Sequence, residues 1–357
     1  MRMTQMKNLF RIFEVRKTQM KRNTIAKGLT YVELPATDGQ TATFYLAAEE
    51  FLAHTEPDKE CFFMWQVAPT VVVGRNQSIE NEVDLDYCRR HNVDVCRRKS
   101  GGGAIYADRG NVMFSLVIPG MNVADAYTRY LNLIIPALRS LDLPAEASGR
   151  NDIIIDGRKV SGTAFYQSAG HSIVHGTMLY DTDMANMTGC LTPGADKLRT
   201  KGVKSVPSRI GLLKKHLGIN ITEFKHHIRG HLCDKTLSLT EADSDCVKAI
   251  EQTYRSPDFI HGANPPCDFT RRLHIADCGT VEARVSVHRG RIKAVNFTGD
   301  FFPLADLSSM QSALAGIVLS ESAIRQAVLA TAPERFIRHF STDDLICLLL
   351  DEMRPTP

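Results

Sequence analysis

The chain has 357 residues, of which 43% are hydrophobic and 23% are charged. These proportions are typical of a globular protein with a sizeable core, and the length suits one large domain or two ordinary ones. No apolar run approaches the roughly 18–20 residues of a membrane-spanning helix, so we expect no membrane partner.

The formal net charge of +3 is unevenly distributed along the chain. Residues 1–27 contain eight Lys or Arg and one acidic residue, whereas the rest contains 35 basic and 39 acidic residues. A slightly acidic body does not favour a nucleic-acid partner. The basic extension is typical of an organelle-targeting segment, of a disordered tail, or of a start codon placed before a true start near Met20. We expect a disordered extension over residues 1–27.

Nine cysteines are spread along the chain, and none forms a C-x-x-C pair. The odd number, together with the lack of a secretory signal, predicts free thiols in a reducing compartment. We therefore expect a cytoplasmic protein, although the basic extension leaves an organelle open.

The first part of the chain predicts strands alternating with helices. "YVELPATDGQTATFYLAAEEFLA" predicts a strand, a turn and an amphipathic helix with Phe44, Ala47, Ala48 and Phe51 on its apolar face. "CFFMWQVAPTVVVGRNQ" predicts two strands, "EVDLDYCRRHN" a short helix and "VDVCRR" a strand. After a triple glycine, "GNVMFSLVIP" predicts a strand, and residues 124–141 predict a helix.

The second part predicts a hairpin at "NDIIIDGRKVSGTAF", a strand at "HSIVHGTMLYD" and helical structure over residues 208–254. The Pro- and Gly-rich segment "SPDFIHGANPPCDF" predicts a boundary. Three short antiparallel strands and two or three helices follow. The expected fold class is therefore α+β: a two-layer α/β domain with mostly antiparallel sheets over residues 28–252, and a small α+β domain over residues 257–357.

Three consecutive glycines, Gly101 to Gly103, follow the basic residues Arg97, Arg98 and Lys99. Glycine N–H groups can point into one concavity and approach a ligand closely, so the loop suits a phosphate. It matches neither the Walker A pattern nor the dinucleotide G-x-G-x-x-G pattern. A flexible turn between two strands explains the glycines equally well. Arg75, in "VVVGRNQ", leaves the same two possibilities open: it could bind a phosphate or an acceptor protein, or lie on the surface without a binding role.

The hairpin turns at Asp-Gly, which places Asp152 and Lys159 on one face of the two strands. In this register, Ser161 shares their face and Val160 lies on the other, with the isoleucines of the core. A register slip of one residue would break this geometry. Taken alone, the Asp–Lys pair could equally be a surface salt bridge.

Four blocks, "RRKSGGGAIYADRGN", "GRNDIIIDGRKVSGTAF", "VHGTMLYDTDM" and "KGVKSVPSRI", together resemble the lipoate–protein ligase family in order and approximate spacing. The resemblance covers most of residues 28–320, and the "GDFF" segment is similar to the family's C-terminal accessory domain. It implies the fold of the biotin and lipoate ligases. It also implies an activity in which lipoate attacks the α-phosphate of Mg·ATP, giving lipoyl-AMP and pyrophosphate.

The resemblance assigns roles to individual residues. It implies that Lys159 is the essential lysine, contacting both the phosphate and the lipoyl carbonyl, and that Asp152 lies near Mg²⁺. The ATP and acyl-adenylate site would comprise Arg98, Gly102, Gly103, Ala104, Ile105, Tyr106, Asn151, Asp152 and Lys159. The lipoate site would comprise Trp65, Ser100, Gly103, Lys159 and His175.

The resemblance also implies the partners. The lipoyl group would pass to a lysine of the lipoyl domains of 2-oxoacid dehydrogenase E2 subunits, or of the glycine-cleavage H protein. We expect the enzyme itself to be a monomer. The sequence does not distinguish lipoate from octanoate, because both offer a similar apolar chain.

Three other functions are weighed against this one. An octanoyl or lipoyl transferase of the same fold needs a nucleophilic cysteine near the lysine block, and "ASGRNDIII" contains none. Biotin ligase shares the fold but has a different glycine and lysine loop. A non-catalytic lipoate-binding protein would not need the full motif set. The histidines of "HHIRGHLC" could hold a metal, but the lack of a third nearby ligand favours a solvated basic helix.

Overall fold

The computed structural model describes residues 28–35, 39–148, 151–192, 209–262 and 267–350. The predictions for the basic extension and for most of "KGVKSVPSRI" lie outside these ranges. Among the described residues, no helix has the length and apolar character needed to cross a membrane.

An eight-stranded mixed sheet forms the centre of the large domain. Its strands are, in spatial order, β11 (Cys233–Ser238), β1 (Leu29–Glu33), β2 (Cys61–Trp65), β6 (Asn111–Pro119), β10 (His171–Leu179), β9 (Arg158–Ser168), β8 (Asp152–Ile155) and β7 (Glu146–Ser148). The first three run parallel to one another and the remaining neighbours are antiparallel. The predicted α+β class is confirmed.

Helices cover both faces of this sheet. Phe62 and Phe63 are consecutive in β2, so they face opposite sides and belong to two separate hydrophobic clusters. The large domain therefore has three layers instead of the predicted two. Its helices are α1 (Ala42–Thr55), α2 (Ile79–Glu82), α3 (Leu85–Arg90), α4 (Val123–Arg139), α5 (Met184–Cys190), α6 (Ile221–Leu232), α7 (Glu241–Tyr254) and α8 (Pro257–His261), with a 3₁₀ turn at Leu213–Lys215.

Two local predictions for this domain are wrong. Helix α1 was expected to be amphipathic, but nearly all of it is buried because it packs between the sheet and α7. Residues 208–254 were expected to be helical, but β11 interrupts them. Its side chains alternate between exposed and half-buried, and it pairs in parallel with β1. Pairing with a distant strand outweighs the weak local preference of such a segment.

The hairpin contains a β-bulge that the sequence did not predict. Lys159 pairs with Ile154 as expected, but Ser161 pairs with Ile153 and Gly162 with Asp152. The extra residue lets both Val160 and Ser161 be buried, so the prediction that Ser161 shares the face of Lys159 is wrong. The bulge also brings a glycine, with no side chain, opposite Asp152.

A small sheet carries the glycine loop. It consists of β4 (Asp94–Arg97), β3 (Thr70–Val73) and β5 (Ile105–Ala107), in that spatial order. The loop connects β4 to β5, so its two ends are fixed on neighbours of the same central strand. The strand before the glycines was predicted, but β5 was not, since the strand predicted after them corresponds to β6 of the large sheet.

The accessory domain is a three-stranded antiparallel sheet packed with helices, as predicted. Its elements are β12 (Phe269–Ile275), β13 (Gly279–His288), β14 (Arg291–Gly299), α9 (Ser308–Leu314), α10 (Glu321–Thr331) and α11 (Thr342–Leu350), with a 3₁₀ turn at Pro333–Arg335. It has its own hydrophobic cluster. Phe302 does not belong to that cluster. It is buried in the core of the large domain, where its ring stacks on Phe165 with centroids 4.9 Å apart.

We expect Phe302→Ala to lower the free energy of unfolding by about 3–5 kcal/mol, because it removes a buried ring from the contact between the domains. Urea denaturation measures this change. Leu329→Ala in α10 is the control, since Leu329 is 70% exposed and its truncation should cost less than about 0.5 kcal/mol. Equal losses in the two variants would contradict the inserted position of Phe302.

Candidate active site

A cavity of about 770 Å³ lies between the glycine loop, the hairpin and the accessory domain. The glycine loop and Lys159, which are far apart in sequence, line this one cavity. From the large domain, its walls include Leu46, Trp65, Val72, Arg98, Gly102, Gly103, Ala104, Ile105, Met113, Ser148, Asn151, Asp152, Lys159, Gly162, Thr163, Ala164, His175, Gly176, Thr177 and Arg209. From the accessory domain, they include His274, Ile275, Ala276, Asp277, Gly279 and Asp300.

The three glycines of the loop have different surroundings. A Cβ atom on Gly101 would lie 2.6 Å from the carbonyl oxygen of Phe301, and one on Gly102 would lie 3.0 Å from the ring of Phe302. The N–H of Gly102 donates to the Phe301 carbonyl at 3.2 Å. By contrast, a Cβ on Gly103 would meet nothing closer than 4.0 Å. The accessory domain thus explains the first two glycines, and Gly103 is the one open to a ligand.

Arg98 fixes the conformation of the glycine loop. Its guanidinium donates to the carbonyl oxygens of Gly101 at 2.7 Å, Gly103 at 2.8 Å and Val72 at 2.9 Å. Burial lowers the pKa of Arg98 to about 10, which still leaves it protonated near neutral pH. Arg98 therefore places a positive charge directly behind the open glycine.

Lys159 and Asp152 meet at the opposite wall, as the sequence predicted. Lys159 Nζ lies 2.7 Å from Asp152 Oδ1, and both side chains are about one-third exposed to the cavity. The neighbouring Asn151 is fixed by its amide nitrogen, which donates to the carbonyl oxygen of Thr163 at 2.7 Å. A Cβ on Gly162 would lie 2.8 Å from Lys159 Nζ, so the ammonium occupies the space that the glycine leaves.

We expect Gly162→Ala to lower activity on the order of 10²-fold with little loss of stability. The added methyl group displaces only the flexible end of Lys159, and small misplacements of a reacting group are costly. Steady-state kinetics and thermal denaturation test this together. Gly230→Ala is the matched control, because a Cβ there would meet no atom within 4 Å. Unchanged activity in Gly162→Ala would show that Lys159 can work from another position.

A buried polar network continues inward from Arg98. Arg98 Nε donates to Ser100 Oγ at 2.9 Å, and Ser100 Oγ lies 2.7 Å from His175 Nε2. His175 Nδ1 lies 3.0 Å from both carboxylate oxygens of Glu49. These contacts fix the orientation of the imidazole ring between Ser100 and Glu49. Ser100 itself is fully buried and is not among the residues that line the cavity, so it lies behind the cavity wall.

The same carboxylate also fixes the tryptophan. Ser115 Oγ donates to Glu49 Oε1 at 2.5 Å and accepts from Trp65 Nε1 at 2.9 Å. The indole ring stacks on Tyr45, with centroids 4.8 Å apart. Trp65 therefore has a fixed orientation in the apolar part of the cavity, whose wall also includes Leu46, Val72, Ile105, Met113 and Ala164.

Most of the predicted site residues converge on the cavity, but Tyr106 points away from it. Its side chain is buried in the cluster behind the small sheet, among residues such as Val71 and Val73. The neighbouring Ala104 and Ile105 do line the cavity. A ligand could reach Tyr106 only through its backbone, and that part of the prediction remains a prediction.

The sequence analysis missed several wall and network residues, among them Glu49, Arg209 and Asp300. Glu49 sits on a helix that the sequence pattern assigned one solvent-facing side, so no signal marked it as buried. Arg209 is the last residue but one of the quoted block "KGVKSVPSRI", which could have indicated it. Asp300 belongs to the "GDFF" segment, and its Cβ lies 4.0 Å from a Cβ built on Gly103.

The histidine-rich helix shows no sign of a metal site. His227 Nε2 and His231 Nδ1 both lie within hydrogen-bond distance of Ser140 Oγ, at 2.8 and 3.3 Å. Within the described ranges, no group of three or more His, Cys, Asp or Glu side chains could hold a metal ion.

The cavity joins a glycine loop, a buried arginine and a lysine–aspartate pair, an arrangement that suits an anionic ligand. Residues 41–233 match the family model described as lipoyl protein ligase A/B catalytic domain. Residues 264–349 match the model described as bacterial lipoate protein ligase C-terminus. The chain therefore belongs to the lipoate–protein ligase family, and the resemblance seen in the sequence is confirmed.

Individual relatives agree with this family. The chain is 32% identical over 295 residues to lipoate–protein ligase 1 of Staphylococcus aureus, covering 80% of this chain and 90% of the relative. The fold is similar to that of Plasmodium falciparum LipL1, solved in complex with lipoate, with a TM-score of 0.71, 21% identity, and coverage of 85% of this chain and 94% of that one. It is also similar to a bipartite ligase solved with its E2 lipoyl domain from Thermoplasma acidophilum, at a TM-score of 0.59, 25% identity, and coverage of 69% and 100%.

Proposed function

We propose that this enzyme activates lipoate with ATP to form lipoyl-AMP and pyrophosphate, and then transfers the lipoyl group to a lysine of an acceptor domain. The observation that carries the proposal is the meeting of Gly103, Arg98 and Lys159 around one cavity with an apolar part. The apolar walls suit an eight-carbon chain and its dithiolane, whereas the charged walls suit a nucleotide phosphate.

Lys159 is the group best placed to stabilise the reacting centre. As the carboxylate of lipoate attacks the α-phosphorus, negative charge gathers on the non-bridging oxygens, and a fixed ammonium stabilises that charge most in the transition state. Asp152 holds the ammonium at 2.7 Å, so its position is set before substrate binds. When the mixed anhydride has formed, Lys159 can donate a hydrogen bond to its acyl carbonyl and polarise it for attack by the acceptor amine.

The loop must exchange one hydrogen bond if Gly102 is to bind a nucleotide phosphate. In the described arrangement, Gly102 N–H donates to Phe301 of the accessory domain. A phosphate bound through that N–H would replace the Phe301 carbonyl, so nucleotide binding at Gly102 competes with this interdomain contact. The open Gly103 needs no such exchange.

We propose Mg²⁺ as the accompanying metal, brought with the nucleotide. Asp152 contributes one carboxylate, and Asn151 contributes an amide oxygen whose nitrogen is already bound to Thr163. One or two such ligands plus phosphate oxygens are the usual set for Mg²⁺, which would neutralise phosphate charge there. The described residues alone offer no three-ligand cluster, so the fit depends on the nucleotide.

The cysteines do not favour the ATP-independent transferase. All nine are free, and none is among the residues that line the cavity. Burial raises the pKa of both Cys96 and Cys190 to about 12, so neither thiol readily forms the thiolate that a nucleophile requires.

The acceptor is proposed to be a lipoyl domain of a 2-oxoacid dehydrogenase E2 subunit or a glycine-cleavage H protein. The relative solved with its E2 lipoyl domain supports the first of these. We further propose that the enzyme works as a monomer and in the cytoplasm, since both walls of the cavity come from one chain and the cysteines are free thiols.

Pyrophosphate release with ATP and lipoate alone tests this proposal. We expect turnover on both substrates, and a lipoyl mass gain on an added acceptor domain by mass spectrometry. A binding protein would give no pyrophosphate. A transferase would modify the acceptor only when an acyl-protein donor replaces ATP and lipoate. Running the same assay with octanoate measures the preference between the two acids.

A further inference from the structure

A second cavity, of about 360 Å³, lies between the two domains, beside the segment that follows β3. One wall belongs to the large domain and includes Arg75, Asn76, Gln77, Arg97, His261 and Gly262. The other belongs to the accessory domain and includes polar residues such as Asn296, Thr298 and Ser308. The backbone N–H of Gly299 donates to the carbonyl oxygen of Asn76 at 2.7 Å, so the domains are in direct contact beside it.

Arg97 provides this cavity with a buried positive charge. It is 3% exposed, and its guanidinium donates to the backbone carbonyls of residues 74, 75, 77, 260 and 261. No carboxylate of the described residues forms an ion pair with it, although buried charges are usually paired. Its Nη2 atom makes a single hydrogen bond of 3.3 Å, and it is the atom nearest to a Cβ built on the wall residue Gly262.

Two side-chain amides at this cavity have donors without acceptors. Gln77 is 3% exposed, and its Oε1 accepts from the N–H of Gly74 at 2.9 Å. Its Nε2 is buried and has no hydrogen-bond partner, and the same holds for Asn76 Nδ2, within the part of the chain that the structure describes. A buried donor without an acceptor destabilises the fold, so this arrangement indicates a site for an acceptor.

The charge balance of the cavity favours an anion. Arg75 is exposed, and its side chain makes no ion pair with a described carboxylate. The one carboxylate in the wall is Asp306, whose Oδ1 already accepts from the N–H of Ser308 at 2.7 Å. Hydrogen bonds from Ser308, and more weakly the charge of Arg75, lower the pKa of Asp306. Within the wall, two guanidinium groups face one carboxylate; Glu80, which is outside the wall, lies 3.9 Å from His261, and its charge also acts on Arg97.

The sequence explains why each of the two cavities has a buried arginine. Arg97 and Arg98 are consecutive, so their side chains leave the strand on opposite faces. Arg98 faces the active site and Arg97 faces the second cavity. Both are buried, and both are held by neutral carbonyl oxygens. Each cavity therefore has a positive charge behind its wall.

We propose that the second cavity binds a phosphate-class oxyanion, held by Arg75 and by the free amide donors of Gln77 and Asn76, with Arg97 supplying charge from behind. A tetrahedral oxyanion accepts hydrogen bonds in several directions, which suits a guanidinium and two amides on one wall. The volume admits inorganic phosphate or pyrophosphate. Since both domains line the site, the bound anion stabilises their contact at Gly299 and Asn76.

Isothermal titration calorimetry without ATP or lipoate tests the proposal independently of the proposed function. The active site also attracts phosphate, so the titrations use Lys159→Ala as the background, which leaves the second cavity intact. We expect inorganic phosphate or pyrophosphate to bind this variant at one site. Adding Arg75→Ala should weaken binding at least tenfold, and adding Gln77→Glu should abolish it by placing a carboxylate there. The probe that binds more tightly, inorganic phosphate or pyrophosphate, identifies the form in which the phosphate group occupies the site.

Arg89→Ala is the matched control, because Arg89 is an exposed arginine paired with Asp86 and lies outside both cavities. Adding Arg89→Ala to the Lys159→Ala background should leave the affinity for phosphate unchanged. Tungstate soaked into crystals should give an anomalous peak within hydrogen-bond distance of Arg75 and the Gln77 amide. The proposal is overturned if the Lys159→Ala background binds neither probe, or if adding Arg75→Ala changes the affinity by less than twofold.

Discussion

Lys159→Ala should reduce pyrophosphate release by about 10²–10³-fold, the effect typical of removing one preorganised donor from an anionic transition state. The ammonium faces the cavity opposite Gly103 and Arg98, and its aspartate partner remains after the substitution. The variant therefore loses a cation and leaves Asp152 as an uncompensated negative charge beside the phosphate. Both changes oppose the binding of a nucleotide and the growth of charge at its α-phosphate. Pyrophosphate release over time, at saturating ATP and lipoate, measures the effect.

Mass spectrometry of an acceptor domain checks the second half of the reaction. With ATP, Mg²⁺ and lipoate, the unmodified enzyme should add a lipoyl group, and Lys159→Ala should add almost none. Lys248→Ala is the matched control, because Lys248 also pairs with an aspartate, Asp245, but on the exposed side of α7. Lys159→Arg should retain little activity, since a planar guanidinium does not occupy the position of a compact ammonium. Equal acceptor modification by all variants would remove Lys159 from the mechanism.

The part of this site that the sequence predicted well depends on local structure. The Asp-Gly turn determines that Asp152 and Lys159 share a face over the first pairs of the hairpin, and the ion pair follows. The bulge one residue further on depends on burying both Val160 and Ser161 against distant elements, which no local pattern reveals. Gly103 was predicted as a ligand contact, and it is open. Gly101, by contrast, is required by its close contact with Phe301, about 200 residues away in sequence.

The part that the sequence missed depends on contacts between distant segments. Glu49 looked like a surface residue of an amphipathic helix because "AAEEFLA" contains two adjacent acids. They separate in the fold. Glu50 accepts from Lys99 and Tyr254 near the surface, whereas Glu49 meets His175 and Ser115 in the core. Only the completed helix and sheet packing distinguishes the two.

Glu49→Ala should produce the largest combined effect on stability and substrate binding. It deprives Ser115 and His175 of their shared acceptor and leaves a cavity in a site that is fully buried. Buried donors without partners cost about 1–3 kcal/mol each, so we expect the free energy of unfolding to fall by about 2–5 kcal/mol. Urea denaturation measures this loss.

The same substitution should alter the active site through the two branches of the hydrogen-bond network that meet at Glu49. On one branch, His175 loses the acceptor that orients its ring toward Ser100, which in turn accepts from Arg98. On the other, Ser115 becomes free to turn away from the indole of Trp65. Trp65 is the chain's single tryptophan, so its fluorescence emission reports on this branch directly. We expect a shifted emission spectrum and a KM for lipoate raised at least tenfold, with a smaller change in the KM for ATP.

Glu49→Gln and Glu50→Gln separate this positioning role from a general loss of charge on α1. The Glu49→Gln amide keeps its carbonyl oxygen as an acceptor but can satisfy only one of the two donors well, so it should fall between Glu49→Ala and the unmodified enzyme in both emission and lipoate KM. Glu50→Gln weakens contacts with Lys99 and Tyr254, and should leave the emission of Trp65 and the lipoate KM unchanged. If Glu50→Gln moved both quantities as far as Glu49→Gln does, the carboxylate of Glu49 would have no specific part in orienting Trp65 and His175, and the apolar walls alone would determine how lipoate binds.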